Sequence, residues 1–206
     1  MCFNAPVSMA TYLIGLTGSL CLYRSGYIPE AIFYGWVIHM QLIEFFLWKL
    51  QPCTDPEKEA LNRIVTKIGI IINHLEPVVL WLAILFFSRI KLPSVFNVLM
   101  IIFIIMTWSY TNQVMKSNDC TTVTKKSAPH LYWKWNGETH HAVYYAFFLM
   151  TLVSLSYYGL PKGHINASIV LISFMISFVI YRGQNAFGTM WCFAAAFASF
   201  TLLYFY

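Results

Sequence analysis

The sequence predicts an all-α integral membrane protein in which seven transmembrane helices form a single domain over residues 1–206. Hydrophobic residues make up 59% of the chain, charged residues make up only 10%, and the mean hydropathy is +0.63. Soluble domains carry about 25% charged residues, and a helix that spans a bilayer needs about 20 mostly apolar residues. The chain has several stretches of that length, so a lipid bilayer is its predicted partner and a nucleic acid is not.

Seven apolar segments provide the predicted helices. Prolines stand near the starts of several segments, where a missing backbone N–H leaves no helical hydrogen bond unmade. Glycines mark short turns between other segments. The predicted segments are residues 6–23, 29–50, 64–87, 93–113, 139–160, 162–181 and 186–206.

The longest connection is the loop over residues 114–138, between the fourth and fifth segments. It is the only loop long enough to form a cap or lid over one end of the helices. Its stretch from Leu131 to Trp135 places aromatic side chains beside a lysine, which is typical of a segment at the headgroup boundary. We therefore expect this part of the loop to lie along the membrane surface.

Lysine and arginine are divided unequally between the two sets of loops, and cytosolic loops usually carry the excess. With seven spans, nine of these residues share a side with the amino terminus and four lie on the other side. The nine are Lys49, Lys58, Arg63, Lys67, Lys116, Lys125, Lys126, Lys134 and Arg182, and the four are Arg24, Arg89, Lys91 and Lys162. The amino terminus is therefore predicted to be cytosolic, where Cys2, Cys53 and Cys120 would remain thiols. The reverse orientation would permit a disulfide between Cys53 and Cys120.

The second segment carries a polar stripe. Gln41, Glu44 and Trp48 are three and four residues apart, so they fall along one side of a helix. His39 lies about 160° around the helix from Gln41 and points elsewhere. Polar groups inside a membrane usually face the bundle interior, a cavity or each other. The stripe is therefore predicted to face inward.

The third segment carries a second polar set next to a proline. Asn73 and Glu76 share a helical face because they are three residues apart, while His74 points about 100° away from Asn73. Pro77 has no N–H to donate to the carbonyl group of Asn73, which then needs another partner. The short connection to the second segment makes the two segments antiparallel neighbours. We therefore expect Glu76 to face the interior and to meet the stripe of Gln41 and Glu44.

These intramembrane residues allow two interpretations. Glu44 and Glu76 could share a proton or hold a cation between neighbouring helices, as intramembrane ionisable residues often do. Alternatively, the two acids and their amide neighbours form a structural clamp that only hydrogen-bonds the helices together. The candidate intramembrane site comprises Gln41, Glu44, Asn73, His74 and Glu76.

A second polar set is predicted on the side of the amino terminus. Glu138 and His141 are three residues apart at a helix start, a spacing that can place a carboxylate and an imidazole on one metal. The neighbouring His140 is interpreted as part of an interfacial aromatic belt. If Met1 is removed, the amine and thiol of Cys2 can chelate copper or zinc; otherwise Cys2 is an ordinary thiol. Cys192 lies within the seventh segment, where a cysteine usually behaves as a small apolar residue.

Three short motifs are spread along the chain: Met-Cys-Phe-Asn-Ala at residues 1–5, Gln41-x-x-Glu44-x-x-x-Trp48, and Trp191-Cys192. With them the chain resembles a family of small multi-pass membrane proteins from bacteria, fungi, protists and large DNA viruses. Members of that family begin Met-Cys-Phe-Ser-Ala, so Asn4 departs from the pattern. The family has no established activity. The resemblance implies that Cys2, Gln41, Glu44 and Cys192 are important. A joint site of Cys2 and Cys192 on one side of the membrane is a further hypothesis.

Three functions are consistent with these features. The first is a transporter or channel for a proton or a metal cation, and the acids in mid-membrane and the proline-interrupted helix favour it. The second is a membrane-embedded, metal-dependent enzyme that acts on a lipid or another membrane substrate. The third is a structural membrane protein of a cell or a virion. A homo-oligomer is compatible with each of them. Retinal binding is disfavoured because the seventh segment has no lysine to form a Schiff base.

Overall fold

The computed structural model describes residues 4–117, 119–124, 129–137, 142–181 and 186–206. Most of these residues are helical, which confirms the predicted all-α class. The elements are α1 (Ala5–Arg24), α2 (Ile28–Val37), α3 (His39–Lys49), α4 (Pro56–His74), α5 (Glu76–Phe87), α6 (Val95–Met115), β1 (Thr122–Val123), β2 (Leu131–Tyr132), α7 (Lys134–Gly137), α8 (Ala142–Gly159), α9 (Gly163–Tyr181) and α10 (Phe187–Phe205).

Six helices in the described part of the chain are long and apolar enough to cross a membrane. They are α1, the α2–α3 pair, α6, α8, α9 and α10. The α4–α5 pair passes the same test only when its two helices are taken together, and the two are bent by 44°. The protein therefore has the composition of a multi-pass membrane protein, with a seventh candidate span that is broken.

Local sequence signals explain where several helices begin and turn. Asn4 caps α1 by accepting a hydrogen bond of 2.9 Å from the backbone N–H of Val7. Asp55 caps α4 in the same way, so α4 begins at Pro56, before the predicted apolar segment. Gly26 has a φ of +86°, a backbone conformation that glycine adopts without strain. That turn lets α2 return antiparallel to α1.

Two neighbouring spans are interrupted near their centres. The break between α4 and α5 falls at Leu75, two residues before Pro77, which has no N–H to continue the helix. The break between α2 and α3 falls at Ile38. The indole N–H of Trp36 donates a hydrogen bond of 2.8 Å to the carbonyl oxygen of Ile72. This bond links the two breaks and supplies a partner for a carbonyl group in the last turn of α4.

The helices pack around one main core. α1 packs against α2, α3 and α10, α9 lies against α8 and α10, and α5 lies against α2 and α8. Small residues allow close approach where α1 meets its neighbours. A Cβ atom at Gly18 would collide with the side chain of Ser199 in α10, and one at Gly15 would collide with Ile38. Such small-residue contacts are typical of helix packing in membranes.

The segments 119–124 and 129–137, which we call the cap, cover one end of the bundle. Thr121 is fixed to α4 by a reciprocal pair of buried hydrogen bonds: its N–H donates to Oδ1 of Asn62 at 2.8 Å, and Nδ2 of Asn62 donates to its carbonyl oxygen at 3.1 Å. Next to it, Cys53 and Cys120 form a disulfide. The prediction that these two cysteines are thiols is therefore wrong. The fold brings them together because the cap docks on the connection between α3 and α4.

The aromatic residues of the cap are buried in the bundle. Trp133 and Trp135 stack with their ring centroids 5.0 Å apart, and both are buried. They pack in a cluster with Met40, Leu47 and Ile70. The two rings therefore contact protein, and the expectation that this stretch lies along the membrane surface stays a prediction. The rings of Trp133 and Trp135 fill the end of the helix bundle.

Candidate functional site

Glu76 is buried at the start of α5, directly after the break. Its side chain is only 3% exposed. Nδ2 of Asn73 donates a hydrogen bond of 3.3 Å to Oε1 of Glu76 across the break. This confirms the prediction that Asn73 and Glu76 share a face and that Glu76 points inward. A carboxyl group turned toward lipid would cost about 2.5–3.5 kcal/mol even on the milder insertion scales.

Glu76 borders a cavity of about 30 Å³. A cavity needs about 10–15 Å³ to hold one water molecule, so this space fits about two. Most of its walls are apolar side chains of α2, α8, α9 and α10. Its other polar side chains include Tyr34, Ser173 and Trp191, and the indole N–H of Trp191 donates to Oγ of Ser173 at 3.1 Å. The carboxyl group of Glu76 thus lies beside a small, mostly apolar space of water size.

Gln41 and Glu44 form a second buried acid–amide pair in α3. Both side chains are 0% exposed, and Nε2 of Gln41 donates to Oε2 of Glu44 at 3.2 Å. The prediction that the stripe faces inward is confirmed. Among the described residues, however, no hydrogen bond joins this pair to Asn73 or Glu76. In the same region α3 packs against α4, whereas α5 packs against α2.

His74 sits in an aromatic cage on the other side of α4. It is buried, its Nδ1 lies 2.7 Å from Oγ1 of Thr111, and its Nε2 lies 3.1 Å from the hydroxyl oxygen of Tyr145. The prediction that it points away from Asn73 is confirmed. Four rings have centroids between 5.2 and 6.1 Å from the imidazole centroid, and they belong to Tyr110, Trp135, Tyr144 and Tyr145.

A crevice of about 310 Å³ runs between the α4–α5 pair and α6 and reaches the His74 cage. Its lining is mostly apolar and includes Ile71, Val78 and the highly exposed Trp108. Thr107 and Thr111 supply hydroxyl groups at its inner wall. The crevice therefore joins an apolar outer surface to a polar interior end.

Comparison with known proteins gives no match. No protein-family model, no curated protein and no solved structure matches the chain. The resemblance drawn from the short motifs of the amino terminus, the second span and Trp191-Cys192 thus stays a prediction. The site is interpreted from its own geometry.

Most of the predicted metal site lies outside the described residues: Cys2, Glu138, His140 and His141. Cys192 is described; it is buried and borders the cavity beside Glu76. Within the described ranges, no group of three or more His, Cys, Asp or Glu side chains is placed to hold a metal ion.

Two parts of the polar interior were missed by reasoning from the sequence. Tyr144 and Tyr145 follow the histidines that were interpreted as an interfacial aromatic belt, Tyr110 lies in the fourth segment, and no local pattern shows that these rings converge on His74. Glu30, at the start of α2, is 0% exposed, and its Oε1 lies 2.8 Å from the hydroxyl oxygen of Tyr206. Glu30 stands beside Pro29 at a segment start, and only the tertiary structure brings Tyr206 to it.

Proposed function

We propose that the chain is a multi-pass membrane protein that conducts or transports protons or a small metal cation, with Glu76 as the central titratable group. The observation that carries this proposal is the position of Glu76, a buried carboxyl group at a helix break beside a cavity of about 30 Å³. Ionisable residues inside a membrane mark ion pathways and proton relays by default. Helices broken at mid-membrane form the substrate and ion sites of many transporters.

The proton is the cargo that the geometry around Glu76 favours. Magnesium and calcium need about six oxygen ligands in a protein site, and zinc needs about four ligands. The carboxyl group of Glu76 has one amide donor, Asn73, and the adjoining cavity has mostly apolar walls. A carboxyl group in that setting can take up and release a proton without assembling a shell of ligands.

The breaks supply a means of movement. Trp36 ties the end of α4 to α2, and α5 begins at Glu76. A rotation of α5 against α4 about Leu75 would change the access of Glu76 to the two membrane sides while the Trp36–Ile72 bond holds the pivot. Gating at helix breaks is a known way to alternate access around a fixed site.

Proton flux into liposomes that contain the purified protein tests this proposal. Glu76→Gln keeps the hydrogen-bonding shape and removes the titratable group, so we expect flux to be abolished while the protein remains folded. The matched control is Glu57→Gln, since Glu57 is exposed in the first turn of α4 and should not affect flux. If Glu76→Gln is silent and Glu76→Leu only destabilises the protein, the acid is a structural clamp and the proposal fails.

The crevice that reaches His74 favours one further candidate, a membrane-embedded enzyme that acts on a lipid or another membrane substrate. A mostly apolar crevice of about 310 Å³ could admit an acyl chain, with His74 and Thr111 at its inner wall. Lipid analysis of the purified protein, with a bulky Thr111→Trp variant that fills the crevice, tests this candidate. Retention of the same bound lipid by the variant would exclude the crevice as its site.

The disulfide supports an orientation opposite to the one that the lysine and arginine bias predicts. Disulfides persist in oxidising compartments and are rare in the cytosol. The bond between Cys53 and Cys120 lies on the side of the amino terminus, next to the cap. We propose that this side faces away from the cytosol. The charge bias is a statistical preference of loops, whereas the covalent bond depends directly on the compartment.

A further inference from the structure

A third buried acid, Glu30, lies at the opposite end of the α2–α3 span from Gln41 and Glu44. Glu30 is enclosed where α2, α9 and the residue after α10 meet. The hydroxyl oxygen of Tyr206 lies 2.8 Å from Oε1 of Glu30 and 2.6 Å from the carbonyl oxygen of Pro161. Nδ2 of Asn166 lies 2.6 Å from the same hydroxyl oxygen and 3.2 Å from the Pro161 carbonyl oxygen.

The hydrogens available to this cluster can be counted. Two oxygen atoms at 2.6 or 2.8 Å need a hydrogen between them, because these are O–H···O hydrogen-bond distances. The hydroxyl group of Tyr206 carries one hydrogen, but its oxygen lies close to two other oxygens, Oε1 of Glu30 and the carbonyl oxygen of Pro161. The peptide carbonyl group of Pro161 has no hydrogen to give. The second hydrogen must therefore belong to the carboxyl group of Glu30.

We propose that Glu30 is a proton-binding site: in the folded protein it is a neutral carboxylic acid that donates to Tyr206, which in turn donates to the carbonyl oxygen of Pro161. Asn166 completes the chain by donating to Tyr206. None of the hydrogen bonds in this cluster needs a metal ion. The role of this site in a proton pathway rests on the proposed function, but its protonation does not.

The remaining oxygen atoms agree with a neutral acid. Oε2 of Glu30 is buried and has no hydrogen-bond partner among the described residues. An ionised carboxylate would leave charge on that atom without a donor, which is far more costly than an unpartnered carbonyl-type oxygen. The oxygen–oxygen distances also argue against a bound cation. Oxygens 2.6 and 2.8 Å apart are in hydrogen-bond contact and leave no room for an ion between them.

The charged and titratable neighbours do not form an ion pair with Glu30. Nζ of Lys162 lies 5.4 Å from the ring centroid of Tyr206 and donates to the carbonyl oxygen of Phe205. Tyr34, one turn further along α2, interacts electrostatically with Glu30 and also borders the cavity beside Glu76. The ion pairs found among the described residues involve other acids, at Asp55, Glu59 and Asp119. Tyr34 thus lies between Glu30 and Glu76.

Infrared difference spectroscopy of the purified protein at neutral pH tests the protonation directly. A neutral carboxyl group has a C=O stretching band well above the carboxylate bands, and the band moves to lower wavenumber in D₂O. We expect the spectrum of the wild type to lose one such band in Glu30→Gln. The matched control Glu57→Gln should lose only carboxylate bands. If Glu30→Gln also loses only carboxylate bands, Glu30 is ionised and the proposal is overturned.

A second variant keeps the acid and so remains informative if Glu30→Gln does not fold. Tyr206→Phe removes the acceptor of the Glu30 proton, and we expect the carboxyl band to shift to higher wavenumber because its hydrogen bond is lost. Tyr204→Phe is the control, since Tyr204 is 86% exposed and makes no contact with the cluster in the described structure. An unchanged band in Tyr206→Phe would overturn the assignment. Because neither spectrum depends on flux, the result is separate from the test of Glu76.

Discussion

The indole N–H of Trp36 donates to the carbonyl oxygen of Ile72 at 2.8 Å, and this bond joins the two interrupted spans. Trp36 is two residues before the break at Ile38, and Ile72 is three residues before the break at Leu75. A carbonyl group near a helix break in an apolar medium needs a partner from elsewhere. Trp36 supplies that partner and holds α2 against the turn that presents Asn73 and Glu76. The position of the candidate site therefore depends on a contact between spans.

Trp36→Phe should destabilise the protein by about 1–3 kcal/mol, the usual cost of leaving a buried polar group without its hydrogen bond. The ring volume is largely kept, so the lost indole N–H dominates the change. Chemical or thermal unfolding in detergent measures the effect. Trp108→Phe is the matched control because Trp108 is 72% exposed, and it should be close to neutral. Equal stabilities of the two variants would show that the bond does not hold the break.

Cys53 and Cys120 should resist alkylation until a reductant is added, and then react with a membrane-impermeant maleimide from outside the cell. The disulfide closes a sequence separation of 67 residues, so its removal in the Cys53→Ser/Cys120→Ser variant should cost about 2–4 kcal/mol. Unfolding with and without reductant measures that cost. Labelling without reductant, and only after the cells are permeabilised, would place both residues in the cytosol as thiols and would reject the proposed orientation.

His130 should make the docking of the cap weaker at acid pH. Burial lowers the pKa of His130 below its ordinary value of 6.5, so the unfolded cap binds protons more readily than the docked cap. The contribution of this residue is fully present above that ordinary value and decreases as the pH falls below it. Hydrogen exchange of the cap amides measured from neutral to mildly acid pH detects the loss.

The control for that pH dependence is a comparison of two histidines. His130→Gln should remove most of the pH dependence of cap exchange, since the titrating group is gone. His164→Gln should leave it intact, because His164 is exposed in α9, outside the cap. An unaltered pH dependence in His130→Gln would assign the effect to another group.

Gly18→Leu should separate α1 from α10 and destabilise the bundle by about 1–3 kcal/mol, the usual cost of overpacking a tight contact. The added side chain would collide with Ser199, whose Cβ and Oγ lie against the glycine. Thr17→Leu adds a similar side chain at the preceding, exposed position and should be tolerated. Unfolding of both variants in detergent separates the two outcomes. If Gly18→Leu is as stable as Thr17→Leu, the close packing of α1 on α10 is incorrect.

Properties that depend on neighbouring residues in the chain could be predicted from the sequence. The apolar segments are long enough to span a bilayer whatever they pack against, so six of the seven predicted spans and their approximate bounds follow from composition and length. The interruption near Pro77 follows from a missing N–H, and the Asn73–Glu76 contact follows from a helical spacing of three. The inward direction of these polar groups follows from the cost of placing them in lipid.

Only the tertiary structure decided which of these groups meet. Glu30 and Tyr206 are 176 positions apart, and the tyrosines around His74 come from helices that no local pattern places side by side. Cys53 and Cys120 meet because the cap docks through Asn62 and Thr121. Glu44 accepts a hydrogen bond from Gln41 and Glu76 accepts one from Asn73, although spacing and short connections predicted that the two acids meet. Helical periodicity fixes the direction in which a side chain points from the axis of its own helix. The shapes of the facing helices determine which residue that side chain contacts.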